Sequence, residues 1–154
     1  MTKGLKQLNP DAKIIILGTF PGKDSLDKKE YYSSNTNKFW QLLGIDSPDY
    51  KTKEKSLKKL NIGIWDVIDS CDREESSSDK DIKNVKYNKL SVLKGKIILF
   101  NGKKAYKYFL KAEKEQELDF DVSEKNVLPS SSAAYSITFE GKKEKWNKII
   151  NKHK

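Results

Sequence analysis

The chain has 154 residues and a net charge of +9, from 31 Lys and Arg against 22 Asp and Glu. This length predicts one domain, residues 1–154, and the charge favours a polyanionic partner such as nucleic acid, although a lysine-rich solvated surface would carry the same charge. The only cysteine, Cys71, excludes an internal disulfide and a cysteine-based metal cluster and favours a reducing cytoplasm, at the nucleoid in a bacterium. With no signal-peptide pattern and no long apolar run in the sequence, we expect no membrane association.

Short apolar runs with β character alternate with segments of helical pattern. The predicted strands are residues 13–17, 63–68, 96–100 and 125–128. The predicted helices are residues 38–43, 50–60, part of 79–93, 103–116 and 142–152. Strands separated by helices imply right-handed crossovers and a sheet covered on both faces. We therefore expect an α/β fold, a three-layer α/β/α sandwich around a short, mostly parallel four-stranded sheet.

The segment between the first strand and the first predicted helix has the composition of a binding pocket. Residues 18–43 read GTFPGKDSLDKKEYYSSNTNKFWQLL, with a Gly/Pro turn, a tyrosine pair and a polar Ser/Asn cluster. Gly18, Pro21 and Gly22 allow a sharp turn and a close approach of the backbone to a ligand. Because ligands of open α/β sheets bind at the carboxyl ends of the strands, we expect a site here.

The chain offers few catalytic groups. His153, the only histidine, lies in the C-terminal tail, which argues against a histidine base and a His/Cys metal site. Neither GxxxxGK[ST] nor GxGxxG occurs, which argues against nucleotide hydrolysis and dinucleotide redox chemistry. Catalysis would therefore use carboxylates, amides, hydroxyls or backbone groups, and we expect no metal and no cofactor.

The pattern GTFPGxxSLxxxxYYxxxxNxFWxLL resembles the first motif of the uracil-DNA glycosylase superfamily, most of all its hypoxanthine (deoxyinosine) branch and next its mismatch-specific uracil/thymine branch. Residues 63–82, 97–109 and 127–132 and a terminal KxxxWxxII fit later motifs in the same order. The resemblance implies a monomeric, monofunctional enzyme on double- or single-stranded DNA. It would flip out a deaminated base, hypoxanthine before uracil or xanthine, and cleave its glycosidic bond with water.

Two other functions stay open at this stage. The chain could be a catalytically silent nucleic-acid-binding module with the same fold. It could also be a related hydrolase that acts on RNA or on free nucleosides. Base excision does suit the limited set of catalytic groups, because the reaction needs positioning and electrostatics more than a strong nucleophile.

Asn37 is the implied catalytic residue, since it matches the asparagine of the NxFW element. An amide oxygen can orient the attacking water without a change of charge. In the mismatch-specific branch an asparagine stands inside the first turn, where this chain has Phe20. The alternative role for Asn37 is a cap of the helix at 38–43.

The resemblance also implies which residues bind the base. Tyr32 would stack on it and Tyr31 would close the pocket, although a tyrosine pair can equally be half-buried packing. Phe39 and Trp40 are assigned to the core because apolar positions continue at helical spacing. The other implied base-binding residues are Gly18, Phe20, Pro21, Gly22 and Asn101, with a turn as the alternative role of Asn101.

The stretch LPSSS resembles a loop that contacts DNA beside the flipped nucleotide. Pro129 would stiffen it, and the hydroxyls and amides of Ser130, Ser131 and Ser132 would contact phosphates; an ordinary turn is the alternative. Ala133 and Tyr135 depart from the family pattern, with Tyr135 a candidate wedge. Further residues that resemble family positions are Asp66, a candidate acid/base or turn cap, and Asp69, Arg73, Ser76 and Asp79, while Ser33, Ser34 and Asn35 replace a histidine-containing stretch.

Overall fold

The computed structural model describes residues 1–73, 82–132 and 137–154. The strands in this part of the chain are β1 (Thr2–Lys3), β2 (Ile14–Gly18), β3 (Ile62–Asp66), β4 (Ile68–Asp72), β5 (Lys83–Tyr87), β6 (Ile97–Asn101) and β7 (Val127–Leu128). The helices are α1 (Lys23–Lys28), α2 (Phe39–Leu42), α3 (Tyr50–Lys59), α4 (Lys103–Glu115) and α5 (Phe139–Lys152). None of these helices is long and apolar enough to cross a membrane.

A parallel sheet with the strand order β3-β2-β6-β7 forms the centre of the molecule. β2 is buried along its whole length, as expected for a β-branched run covered on both faces. Because side chains alternate along a strand, Ile14 and Ile16 pack on one face, while Ile15 and Leu17 pack on the other. The predicted three-layer α/β/α arrangement and the parallel four-stranded sheet are confirmed.

Helices cover both faces of this sheet. Buried residues of α2, α3 and α5 share a cluster with Ile14 and Ile16. The apolar face of α4 shares the opposite cluster with Ile15 and Leu17. Phe39 and Trp40 are 0% and 2% exposed, which confirms their assignment to the core.

A second sheet was not predicted. Residues 63–68 do not form one strand, because β3 ends at Asp66 and Ile68 already begins β4. β4 pairs antiparallel with β1 and β5. The apolar run continues across the break at Val67, so hydrophobicity alone could not reveal that the chain leaves one sheet for another there.

The helix predicted within 79–93 is wrong for the residues that the structure describes. Residues 83–87 form strand β5, and a single 3₁₀ turn spans Leu90–Leu93. Val85 and Tyr87 pack against a small cluster of Phe20, Ile68 and Cys71, an alternation typical of a strand. Residues 79–81 lie outside the described part of the chain.

The other element boundaries differ from prediction through capping. α5 begins at Phe139, three residues early, because Thr138 accepts a hydrogen bond from the Gly141 amide. The strand predicted at 125–128 is reduced to β7, since a 3₁₀ turn at Glu124–Asn126 precedes it. Helix α1 forms inside the segment predicted only as a loop.

Helix α5 holds the loop that follows β7. Trp146, fully buried, donates from Nε1 to the Pro129 carbonyl at 2.8 Å. Lys142, 5% exposed, donates from Nζ to the Ser132 carbonyl at 2.9 Å. Burial lowers the pKa of the Lys142 ammonium. The two bonds secure both ends of residues 129–132.

We predict that Trp146→Phe lowers the free energy of unfolding by about 1–3 kcal/mol, because the shorter ring leaves the Pro129 carbonyl without its donor. Urea denaturation followed by circular dichroism measures the change. Trp65→Phe is the control, since Trp65 is only partly buried, and it should cost less than about 1 kcal/mol. Equal losses in the two variants would contradict a stabilising role for the bond to Pro129.

Candidate functional site

A cavity of about 430 Å³ opens at the carboxyl ends of the parallel strands. Three strands contribute one residue each to its lining, namely their last residues: Gly18 of β2, Asp66 of β3 and Asn101 of β6. This volume is in the range of small-ligand sites. The rest of the lining comes from the segment after β2 and the loop after β7: Thr19, Phe20, Pro21, Gly22, Lys23, Asp24, Ser25, Tyr31, Tyr32, Ser34, Thr36, Asn37, Ser130, Ser131 and Ser132.

The predicted catalytic residue and all the predicted base-binding residues line this cavity, and so does the predicted DNA-contacting loop except for Pro129. Pro129 instead lines a neighbouring cleft beside α5. The lining residues that the sequence did not single out include Thr19, Lys23, Asp24 and Ser25. They lie within the predicted pocket segment, but no local pattern distinguishes them from its exposed polar residues.

Gly18 is required by the crowding at the base of the cavity. A Cβ atom at this position would lie 2.6 Å from Asp66 Oδ1 and 2.9 Å from the Tyr32 hydroxyl. Neither distance is compatible with a side chain there. The carboxylate and the phenol therefore converge on the end of β2 only because residue 18 is glycine.

Tyr32 has an unusual backbone conformation, with φ of 53°. Left-handed backbone is uncommon for a residue with a Cβ and is found more often at functional sites. Its ring stacks on Phe39 with centroids 4.0 Å apart and planes 12° apart. Its hydroxyl accepts a hydrogen bond from Asn101 Nδ2 at 3.2 Å. The stack on Phe39 and the hydrogen bond from Asn101 therefore fix the orientation of the Tyr32 ring.

Tyr31 serves mainly to support this part of the wall. Its ring is 4% exposed, and its hydroxyl reaches the backbone, donating to the Lys6 carbonyl at 2.8 Å. Its own carbonyl accepts from Trp40 Nε1 at 3.0 Å, and its amide donates to the Tyr50 hydroxyl at 3.1 Å. Burial is the main cause of the raised pKa of the Tyr31 phenol.

Asn37 lies at the cavity wall just before α2. The predicted N-cap position of Asn37 is wrong, because Lys38 is the N-cap of α2. Asn37 lies one residue earlier, and its Oδ1 accepts a hydrogen bond from the amide of Phe39, the first helical residue, at 3.0 Å. The residue is half-buried and lines the cavity. An amide oxygen has two lone pairs, so the bond to Phe39 leaves Oδ1 able to accept from a water as well.

Asn101 joins three segments of the chain. Its Oδ1 accepts from the Ser131 amide at 2.9 Å, and its Nδ2 donates to Ser131 Oγ at 2.8 Å and to the Tyr32 hydroxyl. In this arrangement both Nδ2 hydrogens are used within the protein. The predicted contact of Asn101 with a base would require these bonds to be exchanged.

The loop after β7 divides into an inner and an outer part. Ser131 is 1% exposed, and its carbonyl accepts from the Lys38 amide at 3.1 Å. It therefore forms part of the wall, and its burial contradicts the expectation that it contacts phosphate. Ser130 is half-buried and Ser132 exposed, so phosphate contacts stay a prediction for these two. Ala133 and Tyr135 lie outside the described residues.

The Gly/Pro turn is fixed from the side of the second sheet. Arg73 donates from Nη2 to the Pro21 carbonyl at 2.7 Å, and its guanidinium lies 5.1 Å from the centroid of the Phe20 ring. Phe20 is 7% exposed. Asp69 does not line the cavity, and Ser76 and Asp79 lie outside the described residues. Within residues 1–73, 82–132 and 137–154, no three His, Cys, Asp or Glu side chains gather as they would around a metal ion.

Comparisons with known proteins agree with this architecture. The family model of the uracil DNA glycosylase superfamily matches residues 5–152. A protein of Methanosarcina barkeri named hypoxanthine DNA glycosylase is 35% identical over 150 residues, covering 90% of each chain. A protein of the same name from Methanosarcina acetivorans is 34% identical over 153 residues, covering 93% of each chain.

A solved structure has the same fold. It is the solution NMR structure of a Methanosarcina acetivorans protein provisionally described as a uracil DNA glycosylase, with a TM-score of 0.74 and 31% identity. The match covers 97% of this chain and 96% of that one. With a family model that spans nearly the whole sequence and two relatives above 30% identity, the chain belongs to the uracil DNA glycosylase superfamily.

Proposed function

We propose that this chain is a monomeric, monofunctional DNA glycosylase that removes a deaminated base, hypoxanthine first, from DNA. One observation supports this most directly: Tyr32, Asn37 and Asn101 line the same cavity, and Ser130 and Ser132 of the loop after β7 line it too. The names of the two relatives favour hypoxanthine as the base. The base would leave the duplex and enter this cavity before the chemical step.

Tyr32 holds the flipped base in this proposal. Phe39 covers one face of the Tyr32 ring, and the proposal places the base against the opposite face, within the cavity that Tyr32 lines. Stacking on an aromatic ring is worth about 1–3 kcal/mol per base and does not depend on which base it is. The left-handed backbone and the bond from Asn101 fix the ring in advance, so binding costs little side-chain entropy.

Asn37 orients the attacking water in the chemical step. The bond from the Phe39 amide holds Asn37 Oδ1 in place, and a water that donates to this oxygen can turn a lone pair toward C1′. The water oxygen bonds to C1′ as the C1′–N bond breaks, and the electron pair leaves with the base. One water proton ends on the base, so the products are the free base and an abasic sugar.

The direct test is a panel of oligonucleotides that carry hypoxanthine, uracil or xanthine in double- and single-stranded form. Strand scission only after alkali is expected for hypoxanthine, since the enzyme would leave an abasic site. Scission without alkali, or capture of the protein on DNA by borohydride, would contradict the monofunctional mechanism. Binding without abasic sites would instead favour the silent binding module.

Asn37→Ala should reduce single-turnover excision by about 10²–10³-fold, the usual cost of one positioned polar group in a preorganised site. Asn37→Ser is the matched variant, because a serine hydroxyl can still accept from the Phe39 amide two residues on but is too short to hold the water. If Asn37 is catalytic, both variants are inactive, and only the alanine variant also loses about 1 kcal/mol of stability. Full activity in the serine variant would refute the catalytic role.

Tyr32→Ala should weaken binding of duplex that carries hypoxanthine by about 1–3 kcal/mol, through the loss of stacking. Tyr32→Phe keeps the ring and loses the hydroxyl that accepts from Asn101, so its effect should be smaller. Fluorescence anisotropy at fixed salt gives both affinities. An equal loss in both variants would indicate that the hydroxyl, not the ring, is what binding requires.

DNA affinity should fall steeply with added salt, because bound lysines release counterions from the phosphates. The slope of log K against log salt should be about −0.9 for each phosphate neutralised on duplex DNA. Sucrose at matched osmolality is the control and should leave the affinity unchanged. An affinity that does not change between low and moderate salt would argue against a role for the +9 charge in binding.

A further inference from the structure

The Gly/Pro turn beside the cavity is held by the only arginine of the chain. Arg73 directly follows β4, whose last residue, Asp72, accepts a hydrogen bond from Asn84 Nδ2 at 2.7 Å. From there Arg73 Nη2 donates to the Pro21 carbonyl at 2.7 Å, and the guanidinium lies 5.1 Å from the centroid of the Phe20 ring. Pro21 and Phe20 line the cavity, whereas Arg73 does not. The second sheet therefore contacts the wall of the site through this side chain.

Composition indicates that arginine is needed at this position. Of the 31 Lys and Arg residues, every one except Arg73 is lysine. A lysine ammonium is a point charge on a flexible stem, whereas a guanidinium is planar, donates in fixed directions and stacks on aromatic rings. Arg73 uses both properties, since it donates to Pro21 and lies over the ring of Phe20.

The charge of Arg73 is directed at a peptide group. In the described part of the chain, no ion pair joins Arg73 to a carboxylate, and its buried Nη1 donates to no acceptor. The bond to the Pro21 carbonyl is therefore not weakened by a neutralising partner among these residues. Hydrogen bonds from a charged donor are roughly twice as strong as those from a neutral one.

The peptide group between Pro21 and Gly22 transmits this bond to its other side. None of the described peptide bonds is cis, and in a trans peptide the C=O and the N–H point in opposite directions. The Gly22 N–H therefore points away from Arg73. Gly22 lines the cavity, and its amide donates to no acceptor among the described residues. Because hydrogen bonds in a chain polarise one another, the bond to Arg73 makes this amide a stronger donor.

We propose that Arg73 is a positioning residue that acts through the Pro21 carbonyl and directs the Gly22 amide at the flipped base as it leaves. The inference rests on the proposed glycosylase function and adds the group that stabilises the departing base. When the C1′–N bond breaks, the electron pair stays on the base, and a fixed N–H donor stabilises that charge without moving. The amide keeps its proton, since the base takes one from the attacking water.

The test compares single-turnover excision of hypoxanthine and of 8-azahypoxanthine, whose additional ring nitrogen makes it a better leaving group. Arg73→Met removes the charge and the donor but keeps an apolar side chain beside Phe20. It should slow removal of hypoxanthine by about 10- to 100-fold, because a group displaced by about 1 Å in such a site can cost about 10²-fold. Removal of 8-azahypoxanthine should slow by less than about fivefold, since its transition state needs less stabilisation. Arg73→Lys, which can still donate to Pro21, should retain more activity on hypoxanthine than Arg73→Met.

Two further measurements separate this role from a structural one. Lys86→Met removes a positive charge from an exposed position of β5, in the same sheet, and should leave both rates unchanged. In the wild type, NMR should show a downfield shift of the Gly22 amide proton when hypoxanthine is added together with abasic DNA.

The inference fails if Arg73→Met slows removal of both bases by the same factor, which would indicate a general effect on the site. It also fails if the Gly22 amide proton does not shift in the wild-type protein, a result that needs no variant. An active wild type with an equally active Arg73→Met variant would overturn this inference alone. A wild-type protein that removes no hypoxanthine from any substrate would overturn the proposed function as well.

Discussion

The arrangement of the site depends on one side-chain amide. Asn101, at the end of a central strand, binds both the backbone and the hydroxyl of Ser131 and donates to the phenol of Tyr32. These partners belong to segments that come before the central strand and after it in the chain. This amide thereby links the loop after β7 to the tyrosine across the cavity. Because its bonds are short and partly shielded from water, they stabilise one arrangement of the wall.

The loop next to the cavity is held from several sides, and this suits the proposed chemistry. α5 holds the carbonyls of Pro129 and Ser132, and the start of α2 holds the carbonyl of Ser131. Preorganised polar groups accelerate a reaction most when they need not move as charge develops. A rigid loop beside a fixed aromatic ring would therefore favour capture of an extruded nucleotide over that of a stacked one.

Asn37 illustrates how a structural and a catalytic role can depend on each other. The bond from the first amide of α2 also fixes the orientation of the Asn37 side chain, and a water-binding group is useful only when its orientation is fixed. The bond to the helix and the proposed catalytic role are therefore compatible, and a change in stability alone does not distinguish them. At the end of β2, Asp66 and the Tyr32 hydroxyl occupy the space that a side chain at Gly18 would need.

The sequence by itself determined the central sheet and the position of the site. The run of Ile14, Ile15 and Ile16 is typical of a strand buried on both faces, and the Gly/Pro turn after it indicated the ligand-binding edge. It did not reveal the second sheet, the inward orientation of Ser131 or the commitment of the Asn101 amide. The last two of these features depend on hydrogen bonds between residues 30 to 69 positions apart, and local periodicity carries no information about such pairs. Only the tertiary structure, by closing the sheet and packing the helices on it, decided which polar groups of the loops face each other.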